Sequence, residues 1–123
     1  MRLKHTQIPA VRDMLIRSQD NRCALCSVNL SGVMPCLDHD HTTGRIRSVL
    51  CQNCNGIEGK IHNLCRRAKR ERTTEQFLVS ILEYWKAHRE APTDLLHPTH
   101  RTEDEKRVRR NKKARLRRAK KTT

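Results

Sequence analysis

Two Cys-x-x-Cys pairs constrain this chain of 123 residues more than any other feature of its sequence. Cys23 and Cys26 form the first pair, Cys51 and Cys54 form the second, and 24 residues separate the two. Two intervening residues let both sulfurs of a pair approach one ion, and two pairs complete a tetrahedral site for Zn²⁺. Because four thiolates leave no open coordination position, we expect this zinc to be structural and its binding energy to stabilise the fold.

The composition also favours a fold that depends on a metal or a partner subunit. Only three residues are aromatic, Phe77, Tyr84 and Trp85, so a chain of this length has few large side chains for a core. The sequence shows neither a secretory signal nor an apolar run long enough to cross a bilayer. We therefore expect a soluble protein of a reducing compartment, the cytoplasm, in which its six cysteines bind metal or stay free thiols.

The net charge of +14 is concentrated towards the C-terminus. Residues 101–123 hold twelve Lys and Arg against three acids, a net charge of +9 that leaves +5 for residues 1–100. This balance favours a polyanionic partner, nucleic acid before an anionic membrane, and a merely solvated extension is the alternative. We place the end of the folded domain at residue 100 and interpret residues 101–123 as a basic tail, which could be disordered alone and helical on nucleic acid. Its expected phosphate contacts are Arg109, Arg110, Lys112, Lys113 and Arg115.

The spacing of apolar residues predicts an α+β fold that is mostly helical. Residues 8–19 have helical spacing, residues 36–50 predict two short strands joined by a turn, and a helix is predicted from residue 51. The clearest helix covers residues 74–89 and starts with a Thr-x-x-Gln capping box at residues 73–76. It carries an apolar stripe that is either core or a dimer interface, formed by Phe77, Leu78, Ile81, Leu82 and Trp85.

The second unusual feature is the Asp-His-Asp-His segment at residues 38–41, which the zinc leaves free for other chemistry. On a regular strand the two aspartates and the two histidines face opposite ways, but a bulge near the strand end could turn them into one cleft. Phosphodiester hydrolysis needs a hard cation and a base that activates water. A carboxylate and a carboxamide oxygen suit Mg²⁺, and a neutral imidazole can take the proton. The residues that could supply these parts are Asp38 or Asp40, Asn55 and His39, with Arg45 and Arg47 as a phosphate clamp.

Two other interpretations of these residues remain open at this point. The segment could be an inert polar turn, with Asn55 bonded only to the backbone. A second zinc could also bind between Cys36, His39, His41 and Cys65, although the spacing of these four residues is irregular.

A longer pattern joins the two features. Residues 23–59 contain Cys-x-x-Cys, then Leu-Asp-His-Asp-His-x-Thr-Gly-x-x-Arg, then Leu-Cys-x-x-Cys-Asn-x-x-Glu-Gly. This pattern resembles the recombination endonuclease VII family of bacteriophages, which belongs to the wider His-Asn-His, or ββα-metal, nucleases. The resemblance implies a small zinc-stapled ββα-metal core with a long dimerisation helix over residues 74–89. It also implies an intertwined homodimer, with one active site per subunit, that resolves branched DNA such as four-way junctions.

The resemblance also implies a role for each matching residue. The two cysteine pairs would hold zinc, Asp38 and Asn55 would bind the catalytic Mg²⁺ or Mn²⁺, and His39 would be the general base. The further site residues that it implies are Asp40 as a supporting carboxylate, His41 at the phosphate or leaving group, and Glu58 as an additional acid. Apart from the resemblance, Lys60 is expected to contact DNA together with Arg45 and Arg47.

The sequence therefore predicts a Mg²⁺-dependent, structure-selective DNA endonuclease, in the cytoplasm of a bacterial host if a phage encodes it. One alternative keeps the enzyme but has it nick or cut linear duplex. The other is a non-enzymatic zinc-ribbon protein that binds nucleic acid through its basic tail. No cluster resembles a base-reading helix, so we expect binding directed by DNA structure or backbone and no membrane partner.

Overall fold

The computed structural model describes residues 1–122 and confirms the expected fold class, α+β and mostly helical. Thr123, the last residue of the predicted basic tail, lies outside the described residues. One antiparallel hairpin is followed directly by a helix, which is the ββα order. In chain order the elements are α1 (Ile8–Ser18), β1 (Pro35–His39), β2 (Ile46–Cys51), α2 (Gln52–Ala68), α3 (Thr74–Glu90) and α4 (Glu103–Thr122).

The chain divides into two compact units, Met1–Glu83 and the residues from Tyr84 onward. The first unit contains α1, the hairpin, α2 and the first part of α3, and the second contains the rest of α3 and α4. The domain boundary expected at residue 100 stays a prediction. No helix within residues 1–122 is both long and apolar enough to span a membrane, and the cytoplasmic location also stays a prediction.

The core of the first unit is small and includes two cysteines of the Cys-x-x-Cys pairs. Its buried residues are Cys23, Leu30, Val49, Leu50 and Cys51, of which Val49 is fully inaccessible. Because two of these five residues are cysteines of the two pairs, the residues that exclude water and the residues that can hold a metal overlap. The half-buried residues that pack around this cluster are Leu15, Ile16, Leu37 and Cys54.

Gln19, which follows α1, joins that helix to β2. Its side-chain Oε1 accepts a hydrogen bond from the Val49 N–H at 2.8 Å, and its Nε2 donates to the Val49 C=O at 2.9 Å. The next two residues, Asp20 and Asn21, have φ values of 53° and 59°. Asp and Asn tolerate this left-handed region better than other residues with a side chain, so the chain can turn there towards the first cysteine pair.

The hairpin contains a register irregularity at the Asp-His-Asp-His segment. The pairing shifts between Leu37 and His39, so that Asp38 alone lies opposite Arg47 and Ser48 of β2. Two residues opposite one residue is the arrangement of a β-bulge, which bends the strand and redirects nearby side chains. The bulge that the sequence allowed near the strand end is therefore present.

The last two helices begin at side-chain caps. At α3 the predicted capping box is confirmed, because the Thr73 N–H donates to Gln76 Oε1 at 2.9 Å and the Gln76 N–H donates to Thr73 Oγ1 at 3.1 Å. At α4 the Glu105 N–H donates to Thr102 Oγ1 at 3.2 Å, and three acids lie in the first turn. These acids interact favourably with the positive end of the helix dipole, while the rest of α4 is basic.

Candidate active site

The four cysteines of the two pairs come together where β2 ends and α2 begins. Their sulfur atoms all lie within 4.8 Å of one another, and the sulfurs of Cys26 and Cys51 are 3.8 Å apart. Ligands about 2.3 Å from a tetrahedral zinc ion are separated from each other by about 3.8 Å. The cluster can therefore hold a structural metal such as zinc.

Backbone N–H groups prepare part of this cluster for a cation. Cys51 is the N-cap of α2, where its sulfur accepts the Cys54 N–H at 3.4 Å, and its own N–H donates to the Cys23 sulfur at 3.3 Å. Burial alone would raise the pKa of Cys23, but the N–H groups around its sulfur outweigh burial and lower that pKa to about 6. The contact with the Cys26 side chain raises the pKa of Cys54 to about 12. The cluster thus favours a thiolate at Cys23, the form that binds zinc.

The remaining two cysteines do not form a second metal site. Cys36 is half-buried on β1, and Cys65 is buried on α2. In the part of the chain that the structure describes, the four-cysteine cluster is the only group of three or more His, Cys, Asp and Glu residues with ligand atoms close enough for one ion. A second zinc between Cys36, His39, His41 and Cys65 therefore has no support in the structure.

A groove of about 430 Å³ lies between the hairpin and α2. It brings together acids, imidazoles and guanidinium groups from two segments that are far apart in sequence. The hairpin and its turn contribute Asp40, His41, Thr42 and Arg47, and α2 contributes Glu58, Gly59, His62, Asn63 and Arg66.

Arg47 connects β1 to α2 through two acids. Its Nε donates to Asp38 Oδ2 at 2.7 Å and its Nη2 donates to Asp38 Oδ1 at 3.1 Å, while Nη2 also lies 3.1 Å from Glu58 Oε2. The Asp38 side chain is only 7% exposed, and a buried carboxylate needs such a partner. The hydrogen bonds to Asp38, more than the charge of Glu58, raise the pKa of Arg47 above its ordinary value. The bulge makes this contact possible because it places Arg47 opposite Asp38.

Asp40 stabilises the turn that follows β1. Its Oδ1 accepts hydrogen bonds from the N–H groups of Thr42 at 2.7 Å and Thr43 at 3.1 Å. The Thr43 and Thr42 N–H groups, in that order, lower the pKa of the Asp40 carboxyl. Gly44, with a φ of 75° that suits glycine, donates its N–H to the Asp40 C=O at 2.7 Å. One Asp40 oxygen is therefore occupied by the turn, and a role of Asp40 as a supporting carboxylate stays a prediction.

Of the other predicted site residues, His41 lines the groove, whereas Asp38, His39 and Asn55 are not among its lining residues. The rings of His39 and His41 are 4.6 Å apart between centroids, and both side chains are exposed. Asn55 is half-buried in the first turn of α2, three residues before Glu58 and therefore on the same face of the helix. No hydrogen bond within residues 1–122 joins the Asn55 side chain to Asp38, so their shared role as cation ligands stays a prediction.

Within the first unit, the predicted DNA-contacting cations do not all lie together. Arg47 lines the groove, whereas Arg45 is exposed in the turn and Lys60 is exposed on another face of α2, two residues after Glu58. On α4, in the second unit, five predicted contacts are exposed and make no ion pair with any residue in the described range: Arg109, Arg110, Lys112, Lys113 and Arg115.

Besides Gly59, three groove residues on α2 with polar side chains were not expected from the sequence, namely His62, Asn63 and Arg66. A signal for them was present, because residues three or four positions apart lie on one face of a helix and Glu58 was already a site candidate. They extend the groove along α2 with groups that can donate hydrogen bonds to an anion.

Comparison with known proteins gives one family match. No curated protein sequence matches the chain. The sequence profile of the family described as recombination endonuclease VII matches residues 2–87, which is more than half of the chain and includes both cysteine pairs, the hairpin and α2. The chain therefore belongs to the recombination endonuclease VII family, a family of nucleases.

Proposed function

We propose that this protein is a divalent-cation-dependent endonuclease that hydrolyses phosphodiester bonds in branched DNA. The groove is the observation that carries the proposal, because acids, imidazoles and guanidinium groups converge there in a member of a nuclease family. The cysteine cluster would stabilise this groove without lining it. A metal bound there would hold the start of α2 against the first cysteine pair.

The oxygen donors around Arg47 suit a hard cation such as Mg²⁺ or Mn²⁺. Asp38 and Glu58 present carboxylates on either side of Arg47, and Asn55 offers a carboxamide oxygen on the same helix face as Glu58. When bound, a divalent cation there would offset the charge that develops on the phosphate and stabilise the leaving oxygen. Asp38 and Asn55 are its proposed ligands.

Proton transfer is assigned to the histidines. His39 is exposed, so water reaches its ring, and a neutral imidazole can accept a proton from the attacking water at pH 7. His41 lies beside it and lines the groove, where it would contact the phosphate or the leaving group. Glu58, on the opposite wall, is the proposed additional acid.

DNA would be held through its backbone. Along the groove, His62, Asn63 and Arg66 can donate hydrogen bonds to phosphate oxygens. On α4, nine Lys and Arg follow Val108 without a single acid. Such a helix contributes affinity without reading bases, because it neutralises phosphates and releases counterions.

The preference for branched DNA rests on the family and on an exposed apolar surface. On α3, Leu78, Val79, Leu82 and Trp85 are between 36% and 59% exposed, although aliphatic and aromatic side chains of this size are usually buried. A homodimer formed through α3 would bury them and would present two symmetry-related active sites. Two such sites could make paired cuts in one branched molecule.

The test compares Asn55→Ala with Asn53→Ala, a matched change at an exposed position of the same helix. Zinc-loaded protein would be assayed on a four-way junction and on its linear arms, with and without Mg²⁺ or Mn²⁺. We expect cation-dependent cleavage of the junction, its loss in Asn55→Ala and its retention in Asn53→Ala. His39→Ala should lower the rate by about 10²–10⁴-fold, the usual contribution of a general base.

Each alternative has its own outcome in this assay. If the linear arms are cleaved as fast as the junction, the substrate is linear duplex and not branched DNA. If the protein binds DNA tightly but cleaves it with neither cation, it is a non-enzymatic zinc-ribbon protein. Asp38→Ala is a poorer probe than Asn55→Ala, because it also removes the two hydrogen bonds that join β1 to Arg47 and so affects the fold as well as the site.

A further inference from the structure

Arg47 already holds the two carboxylates that the cation site would use. Its guanidinium lies between Asp38 and Glu58, with hydrogen bonds of 2.7 Å and 3.1 Å to the former and a contact of 3.1 Å to the latter. The Asp38 side chain is 7% exposed and that of Glu58 is 29% exposed. Neither carboxylate is therefore fully surrounded by water, and Arg47 is the only cation that forms an ion pair with either in the described part of the chain.

The geometry leaves little room for a second cation at Asp38. A carboxylate oxygen has two lone-pair positions, and the two N–H groups of Arg47 occupy one on each oxygen. A divalent cation on the remaining positions would lie near the guanidinium charge, and the buried Asp38 side chain leaves little water between the two to screen their repulsion. Binding of a divalent cation to Asp38 and the ion pair between Asp38 and Arg47 therefore weaken each other.

We propose that Arg47 is the resident counter-cation of Asp38 and Glu58, and that a catalytic divalent cation has to compete with it for these carboxylates. The inference rests on the proposed function, which makes Asp38 a cation ligand. It gives Arg47 a positioning role: the guanidinium keeps the buried Asp38 carboxylate satisfied and connected to α2 while no divalent cation is bound. It also keeps the affinity of the DNA-free protein for the cation low.

The chain offers a matched control for this proposal. Arg45 lies two residues before Arg47, is exposed, and forms no ion pair with an acid in the described residues. Arg45→Gln and Arg47→Gln therefore remove the same charge from the same turn and strand, but only Arg47→Gln removes the partner of Asp38 and Glu58. Arg45→Gln therefore measures how much the loss of one nearby positive charge strengthens cation binding in general. The difference between the two variants measures the loss of the ion pairs with Asp38 and Glu58.

The experiment measures Mn²⁺ binding to the zinc-loaded, DNA-free protein by electron paramagnetic resonance. We expect Arg47→Gln to bind Mn²⁺ about tenfold more tightly than Arg45→Gln, a size usual for coupling between two ligands. Arg47→Lys, which keeps the charge but cannot make two parallel hydrogen bonds, should fall between Arg47→Gln and the wild type. In thermal unfolding without Mn²⁺, Arg47→Gln should melt below Arg45→Gln, and saturating Mn²⁺ should raise its midpoint by about 5 °C.

The outcomes separate this proposal from the proposed function. If Arg47→Gln melts cooperatively yet binds Mn²⁺ no more tightly than Arg45→Gln, competition by Arg47 is wrong; if it does not fold, Arg47→Lys against the wild type decides in the same way. Asp38→Asn should weaken Mn²⁺ binding in the Arg47→Gln background. If it does not, Asp38 is not a cation ligand, and the error lies in the proposed site itself.

Discussion

Gln19 and Arg47 show how much of this small protein depends on single polar side chains. The core cluster contains five buried residues, so individual hydrogen bonds at its edge matter more than they would in a larger domain. Gln19 satisfies both backbone groups of Val49, the fully buried centre of the cluster, and Arg47 satisfies the buried Asp38. In both cases removal of the side chain leaves a buried polar group without a partner.

Gln19→Leu is expected to lower the free energy of unfolding by about 1–3 kcal/mol. It removes three hydrogen bonds, one to the Arg22 C=O and two to Val49. The Val49 C=O keeps the Ala24 N–H at 3.3 Å, but the Val49 N–H is left unsatisfied, at a cost of about 1–3 kcal/mol. Urea denaturation of the zinc-loaded protein would measure the change. Arg17→Ala, an exposed change on the same helix, is the control and should leave the midpoint nearly unchanged. A midpoint for Gln19→Leu equal to that of the control would show that Gln19 does not stabilise the link between α1 and β2.

Arg47 also shows where sequence and structure differ in what they reveal about a residue. Two basic residues beside a turn predict a phosphate clamp, and nothing in the local sequence indicates that one of them turns towards acids. The bulge decides this, because it places Arg47 opposite Asp38. Its Nε and Nη2 are then occupied, so a contact with phosphate is left to Nη1.

At the scale of the elements, α2 carries one wall of the groove on a single face. Glu58, Gly59, His62, Asn63 and Arg66 follow one another at intervals of one or three residues, which keeps them on neighbouring positions of that face. Cys51 is the N-cap of the same helix, so the cysteine cluster determines where this face begins. A helix anchored at its first turn can hold distant side chains in place without a large core.

Arg66→Ala should weaken DNA binding more than Arg67→Ala. Arg66 lines the groove, whereas Arg67, its neighbour, is exposed and donates to the Asn63 C=O on its own helix. If Arg66 neutralises one phosphate, its loss should reduce the slope of log affinity against log salt by about 1. Fluorescence anisotropy at several salt concentrations, without a divalent cation, measures this slope. Equal slopes for the two variants would place Arg66 away from the DNA.

The exposed stripe of α3 predicts self-association. Leu82→Glu places a charge in this stripe, and in a dimer interface a buried unpaired charge is costly. We expect the wild type to have twice the mass of the 14.4 kDa chain in sedimentation equilibrium, and Leu82→Glu to be monomeric. Ala87→Glu adds the same charge at an exposed position on another face of α3 and should stay dimeric. A monomeric wild type would remove α3 as a dimer interface.

For the whole molecule, the balance between core and metal is decisive. A structural zinc in a small domain contributes about 10–16 kcal/mol, whereas a typical domain is stable by only about 5–15 kcal/mol in total. With two cysteines among the five residues of the core cluster, loss of the metal also loosens the packing of that cluster. Metal and fold should therefore be lost together.

Removal of zinc is expected to unfold the first unit. Either a strong chelator or the Cys26→Ser substitution should abolish the cooperative thermal transition, which circular dichroism follows. Stoichiometric Zn²⁺ should restore the transition in the chelated wild type, which has all four cysteines, and not in Cys26→Ser. Cys36→Ser, which lies outside the cluster, is the control and should keep the transition. A Cys26→Ser protein that melts like the wild type would show that the cluster is not a structural metal site.

The sequence by itself determined the parts of this protein that depend on short-range spacing. Two residues between cysteines, Thr73 and Gln76 three positions apart, and alternating or helical apolar patterns act over one or two turns of chain, so the cysteine pairs, the capping box and the ββα order follow from them. Only the tertiary structure decided which side chains meet across the groove. His62 and Arg66 reach it because α2 packs against the hairpin, and Arg47 meets Asp38 because one extra residue in β2 shifts the register. Such contacts depend on the relative placement of two elements and on a one-residue bulge, and neither leaves a periodic signal in the sequence.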